Sequence, residues 1–256
     1  VAERVPGLRA LGGAHGSSGQ LALDLRLDDQ ASFRSFFSGA NLEAVNHCRA
    51  LAEGRNDVIV LWGPLGSGRS HLLQAACRLA GECDRRAYFL PLGAMGGRLP
   101  ASAFTGLEVM DLVCVDDIQV AAGQRDWEEG LFHLFNGVRE AGAGILVGAD
   151  APPARLPLRL ADLRSRLEGA LVLRLKALTD DERLAALQHR ARLRGIELPD
   201  AVGRYLLTRF QRDSCSLFAL LDRLDQAALA AGRRLTVPFV RAVLERSQPE
   251  GGFSRS

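Results

Sequence analysis

The chain has 256 residues, 47% apolar and 24% charged, enough to bury a substantial core in one or two domains. Its formal net charge of +2 excludes a global field that would draw the whole surface onto nucleic acid or membrane. No apolar run approaches the ~20 residues of a spanning helix, and the first residues lack the compact apolar stretch of a signal peptide.

Residues 1–19 are rich in glycine and small side chains and end in Gly16-Ser17-Ser18-Gly19. Such a segment buries too little surface to hold itself in place, so a disordered tail is expected. A helical pattern runs from Leu42 to about Glu53. Short apolar runs then alternate with helical stretches. Val58–Trp62, Ala87–Leu92, Leu112–Asp116, Ile145–Gly148 and Leu171–Leu175 read as strands, with helices over Ser70–Ala80 and Trp127–Ala141 among the connections. Phe132, Leu134, Phe135 and Val138 on the second helix read as core packing. Near-continuous apolar strands separated by helices predict a parallel sheet covered on both faces, an α/β fold.

After Leu178 the strand signals stop. Thr179-Asp-Asp-Glu182 is a capping box opening a helix to about Arg194. Pro199 suits the first turn of a second helix to about Arg209. A third runs from near Ser216 to Ala231 and a fourth from Pro238 to about Glu245. The expected organisation is a tail (1–19), a short peptide (20–25), an α/β domain with a five-stranded parallel sheet (26–178), a small all-helical lid (179–246) and a disordered C-terminus (247–256).

Gly63-Pro64-Leu65-Gly66-Ser67-Gly68-Arg69-Ser70 joins the first strand to the next helix, with the spacing of a P-loop and arginine in place of the usual lysine. Glycines let successive backbone N–H groups turn inward onto phosphate oxygens, and the helix N-terminus adds partial positive charge. Ser70 would place a hydroxyl on Mg²⁺ and Arg69 would reach the outer phosphates. A ligand-free glycine turn is the bland alternative; a basic residue followed by serine at this strand end argues against it. The guanidinium is wider than an ammonium, so binding survives the substitution more readily than fast hydrolysis.

Leu112-Val-Cys-Val-Asp116-Asp117 ends a strand in two carboxylates, at the edge where open α/β sheets present ligands. Asp116 would hold Mg²⁺ through water, and Asp117 could orient or deprotonate an attacking water. Paired acids there are otherwise often a solvated turn; the P-loop upstream shifts the balance to function.

Other residues carry less. Cys48, Cys77, Cys83, Cys114 and Cys215 form no CxxC pair, and Cys77 and Cys114 sit in apolar segments, which fits a reducing cytosol. His71, after Ser70, is a packing or phosphate-side residue. His15, His47, His133 and His189 form no ligand cluster, and no nucleophile-base arrangement is visible. Of the 32 basic residues only Lys176 is lysine, most simply a codon bias.

With both nucleotide motifs placed, residues 20–246 resemble the DnaA/Hda family of AAA+ proteins. Phe33-Arg-Ser-Phe36-Phe-Ser-Gly39-Ala-Asn41 resembles the strip that lies against adenine and ribose. Leu112–Gln119 resembles the Walker B segment, and Val147-Gly-Ala-Asp150-Ala-Pro152-Pro153 resembles sensor 1 with Asp150 at the polar position. Asp162-Leu-Arg164-Ser-Arg166-Leu resembles the arginine-finger segment, with Arg166 as the finger and Arg164 a weaker candidate. By this resemblance Phe36, Gly39, Asn41, Gly63, Pro64, Gly66, Ser67, Gly68, Arg69, Ser70, His71, Asp116 and Asp150 contact ADP or ATP. One departure is Cys215 where the family carries its sensor 2 arginine; Arg212 lies one turn earlier. Together with Arg69 it favours steady nucleotide occupancy over turnover in cis.

Gln20-Leu21-Ala22-Leu23-Asp24-Leu25 resembles the peptide with which bacterial proteins dock on the β subunit sliding clamp of DNA polymerase III. Glutamine would supply paired hydrogen bonds and Leu21, Leu23 and Leu25 would fill an apolar groove. Taken alone, alternating leucines favour an edge strand. About ten residues follow the last predicted helix, so the initiator's helix-turn-helix is not expected here. The resemblance therefore implies the regulatory branch. That would be a cytoplasmic negative regulator of replication initiation, reaching the nucleoid through the clamp, holding ADP and stimulating hydrolysis on DnaA through Arg166, with weak ATPase activity of its own at most. A homo-oligomer is compatible with this. The alternatives are an autonomous AAA+ ATPase such as a helicase loader, or a DnaA-like initiation factor.

Overall fold

The computed structural model describes residues 31–95, 101–209, 214–232 and 234–245; the side chains of 101–102, 214–219 and 222 also lie outside the description. The chain divides between Ala177 and Leu178 into two units.

The first unit is built on β1 (Val58–Trp62), β2 (Ala87–Pro91), β3 (Leu112–Asp116), β4 (Gly144–Ala149) and β5 (Leu171–Arg174). All pairings are parallel, in the order β2-β3-β4-β1-β5. Helices α1 (Leu42–Ala52), α2 (Arg69–Glu82), α3 (Arg125–Glu140) and α4 (Ala161–Glu168) cover it. Alternation along each strand feeds two cores. Ile59 and Leu61 pack with Cys48 and Leu51 of α1 and Leu72 and Leu73 of α2. Val60, Val113, Val115, Ile145 and Val147 pack with Trp127, Leu131, Phe135 and Val138 of α3 and Leu163 and Leu167 of α4. A strand buried on both faces needs apolar residues at every position, hence runs such as VIVLW and LVCV; each buried side chain contributes about 1.5–3 kcal/mol.

The second unit packs α5 (Asp180–Leu193), α6 (Asp200–Arg209), α7 (Ser214–Ala231) and α8 (Val237–Glu245) around Leu187, Val202, Leu206, Leu221, Leu224 and Val240. The α5 capping box forms: Glu182 N donates to Thr179 Oγ1 at 3.3 Å and Thr179 N donates to Glu182 Oε2 at 2.8 Å. No helix among the described residues is long and apolar enough to cross a membrane.

The α/β sheet and the all-helical second unit follow the sequence reading. Three local differences bear on the site and its surroundings. β2 stops at Pro91, and Leu92 opens a 3-10 turn (Leu92–Met95); β2 is an edge strand, so the missing proline N–H leaves no inner ladder bond unmade. β4 gains a residue at each end because Gly144 and Ala149 align with Leu112 and Trp62. The segment carrying Arg164 and Arg166 is the helix α4, which sequence periodicity did not mark.

Candidate nucleotide-binding site

The register aligns Trp62 with Ala149 and Val115 with Val147, so β1, β4 and β3 end side by side. From β1 the chain crosses to the far edge, returns through β3 and β4, and passes β1 again to β5. A crevice between diverging connections is where such sheets bind ligands.

Gly63–Ser70 lies in that crevice. Gly66 and Gly68 have φ of +79° and +92°, a conformation that favours glycine. Gly68 is the N-cap of α2, and a Cβ there would run into the Phe36 ring. A Cβ on Gly63 would sit 2.6 Å from the Leu175 carbonyl. Pro64 is exposed, and its carbonyl accepts the Ser67 N–H at 3.1 Å. Ser67 Oγ is buried and has no partner among the described residues. The first amides of α2 have no intrahelical acceptor by construction.

The 31–41 strip is pinned to this loop. Phe36 meets the His71 ring at 5.3 Å, and His71 Nε2 donates to the Ser32 carbonyl at 2.9 Å. Gly39 opens a 3-10 turn ending at Asn41. Asn41 is buried; its Nδ2 donates to the Lys176 carbonyl at 3.0 Å and its Oδ1 accepts the Lys176 N–H at 2.8 Å. Its side chain thus ties the strip to the exit of β5, and both polar ends of the amide are used there.

Arg69 faces inward. It is 8% exposed, Nη1 donates to the Gly63 and Ala149 carbonyls at 2.6 Å each, and Nη2 lies 3.7 Å from Asp117 Oδ1. The planar fork spans P-loop, β4 end and Walker B acid together, which a single ammonium would not do in the same way. Asp116 is 3% exposed. Burial pushes its carboxyl above the ordinary carboxylate pKa, and the hydrogen bond with the Ser70 hydroxyl pulls it back. Its Oδ1 also accepts the Asp117 N–H at 3.0 Å. Asp117 adopts φ +55°, which a short polar residue tolerates, and this turns its carboxylate towards Arg69. Asp150 is exposed just beyond β4.

On α4 the two arginines separate. Arg164 donates to the Leu158 carbonyl. Arg166 is exposed in the last turn, and its side chain makes no hydrogen bond or ion pair among the described residues. The structure thus gathers the P-loop, the 31–41 strip, Asp116, Asp117 and Asp150 at one crevice.

Residues 180–244 match the family model described as Hda, lid domain, and residues 103–174 match that of the bacterial DnaA ATPase domain. The chain is an AAA+ protein of the DnaA/Hda family. Three solved structures share the fold. Domain III of the Thermotoga maritima replication initiation protein DnaA superposes with a TM-score of 0.70 at 21% identity, covering 86% of this chain and 98% of that one. AMPPCP-bound DnaA from Aquifex aeolicus gives 0.59 at 21% identity, over 79% and 73%. The Thermotoga maritima RuvB Holliday junction branch migration motor gives 0.56 at 22% identity, over 84% and 73%.

Within the family's motif set, Cys215 lies in the first turn of α7, with its side chain outside the described residues, as is Arg212. Gln20–Leu25 also lies outside the described residues.

Three residues at the site have no role in the sequence reading. Gln119 Nε2 donates to Asp117 Oδ1 at 2.9 Å while its Oε1 accepts the Asp150 N–H at 3.2 Å, joining Walker B to sensor 1. Gly148 leaves room for the Asp116 carboxylate, which a Cβ would overlap. Glu128 is buried on α3 at 1% exposure. Only Glu128 has a sequence signal: a charge on the apolar face shared with Leu131 and Phe135.

Proposed function

We propose that this chain is a negative regulator of DNA replication initiation that holds an adenine nucleotide, docks on the sliding clamp and acts on the ATP bound to DnaA. The observation that carries the reading is Arg166, exposed on α4 with no side-chain partner among the described residues while Arg164 is tied to Leu158. A finger that works in trans must be free in cis. The lid match over 180–244 supports the regulatory branch.

The loop fits a nucleotide. The positive φ of Gly66 and Gly68 lets the loop turn its backbone amides onto phosphate oxygens, and Ser67 Oγ is a buried hydroxyl without a partner among the described residues. Ser70 and Asp116, whose charged carboxyl the Ser70 hydroxyl favours, would hold Mg²⁺, Asp116 through water. When bound, the ion would neutralise charge on the phosphate oxygens. Arg69, held by two carbonyls and near Asp117, has to exchange those contacts to reach a phosphate. That supports steady occupancy, with ADP as resident, over rapid hydrolysis in cis. Arg166 then stabilises charge on the phosphoryl group within DnaA, a contribution of ~10³–10⁵-fold when a finger is supplied in trans.

The first experiment is binding of the purified chain to the clamp, with and without Gln20→Ala/Leu23→Ala. Binding abolished by the double change supports the reading. No binding in ADP or ATP removes the clamp from it. The Ser70, Asp116 and Asp117 set favours one second reading, an autonomous ATPase; brisk hydrolysis without DnaA or clamp would establish that instead.

A further inference from the structure

Glu128 is a carboxylate placed inside a hydrophobic core, 1% exposed, on the face of α3 that also carries Leu131 and Phe135. Burying such a group costs heavily unless its oxygens are fully engaged. Among the described residues its hydrogen-bond partners are all backbone N–H groups, drawn from two loops. Oε1 accepts Gly123 N at 2.7 Å and Arg159 N at 3.1 Å. Oε2 accepts Arg159 N at 2.8 Å and Leu160 N at 2.6 Å. Gly123 ends the loop that leaves β3 through the 3-10 turn Ile118–Ala121, directly after Asp116 and Asp117. Leu160 is the N-cap of α4, whose last turn carries Arg166.

The arrangement is more specific than a generic helix cap. A residue capping α4 locally would come from position 160 itself, but Leu160 has no side chain able to accept a bond. The acceptor comes instead from a residue 32 positions earlier. One carboxylate thereby fixes where α4 begins, with a negative charge at the end of the helix that favours it, and fixes that start relative to the Walker B loop. Gln119 makes a second bridge between the same two loops, from Asp117 to Asp150.

We propose that Glu128 is the positioning residue of the arginine finger: it sets the pose of α4, and so of Arg166, against the nucleotide-bearing loops of its own chain. The inference rests on the reading of Arg166 as a finger in trans. Arg166 is on the exposed side of α4, and its reach is set by the helix start about two turns back. An error of about 1 Å in such a group can cost ~10²-fold in rate.

The test uses the full chain and ATP-loaded DnaA on clamp-bearing DNA. Glu128→Gln replaces an acceptor oxygen with an NH₂ that faces backbone N–H groups. Leu160→Pro deletes the 2.6 Å bond from the other side, at a φ of −77° that proline adopts. Both variants are expected to lower the maximal rate of DnaA hydrolysis at least ten-fold. The chain concentration giving half-maximal stimulation should change less than three-fold. Hydrogen exchange of the amides over 159–168 is expected to rise at least ten-fold with the sheet amides unchanged. Combined with Arg166→Ala, Glu128→Gln should add no further loss.

Variants that stimulate like the parent, while Arg166→Ala does not, overturn the positioning role and leave the finger intact. If Arg166→Ala itself keeps stimulation, or the parent never stimulates, the finger reading is what fails. The exchange measurement then still decides Glu128's hold on α4, since unchanged protection over 159–168 overturns it. A rise in half-maximal concentration with an unchanged maximal rate assigns Glu128 to partner binding and also overturns it.

Discussion

Burial raises the pKa of Asp116 above its ordinary value, so between the unfolded and folded values the native state binds more protons than the unfolded chain. Stability therefore falls as pH rises through that window. Asp116→Asn removes the charge and keeps an oxygen for the Asp117 N–H bond of 3.0 Å. The variant is expected to melt at higher temperature than the parent in the absence of magnesium and nucleotide, by calorimetry at neutral pH, with the gap closing as pH falls. Magnesium-dependent nucleotide affinity should drop by about ten- to hundred-fold, the usual cost of losing a partner that acts on a metal through water. An unchanged or lowered midpoint would mean that Asp116 is compensated in the fold.

The same residue lies where the sequence placed it, at the end of β3. Gly68 and Ser70 were legible because their motif is local, a strand end, a turn and a helix start within a short stretch, and Asp116 because it closes an apolar run. The pairings of Asn41 and Gln119 were not legible. Asn41 lies 135 positions from Lys176, the partner of both amide ends. Gln119 meets Asp150 across 31 positions. No periodicity reports such pairings. The inward turn of Arg69 onto Gly63 and Ala149 depends likewise on a β4 terminus far along the chain.

Elements were legible in proportion to the apolar pattern they carry. β1, β3 and β4 are buried along nearly their whole length, so continuous apolar runs identified them. α4 has only Leu163 and Leu167 buried, a single i,i+4 pair, and its start is set by Glu128 rather than by a local cap. α5 is the opposite case: its N-terminus is written in Thr179 and Glu182, and both halves of the box form. Thr179→Ala removes one half and should cost roughly 1 kcal/mol, while Thr179→Ser should be close to neutral. Denaturant titration followed by hydrogen exchange over 180–193 measures it. A change confined to amides of the first unit would show that the box does not hold α5.

For the whole molecule, the net charge of +2 sets an expectation about DNA. Affinity for duplex comes largely from phosphate neutralisation and is steeply salt-dependent. A nearly neutral chain should bind free duplex no tighter than about 10⁻⁶ M at physiological salt, the non-specific range, and with little preference for sequence. Fluorescence anisotropy on origin and scrambled duplexes across a salt series measures this. A sequence-specific complex near 10⁻⁸ M or tighter, the range of dedicated readers, would favour a DnaA-like initiation factor over the regulator. The regulator reading adds that the same duplex, once it carries a clamp, should retain the chain, and that Gln20→Ala/Leu23→Ala should abolish the retention. On that reading, recruitment by the clamp would confine a protein with little DNA affinity of its own to replicated DNA, so that Arg166 would meet DnaA only where a clamp has been loaded.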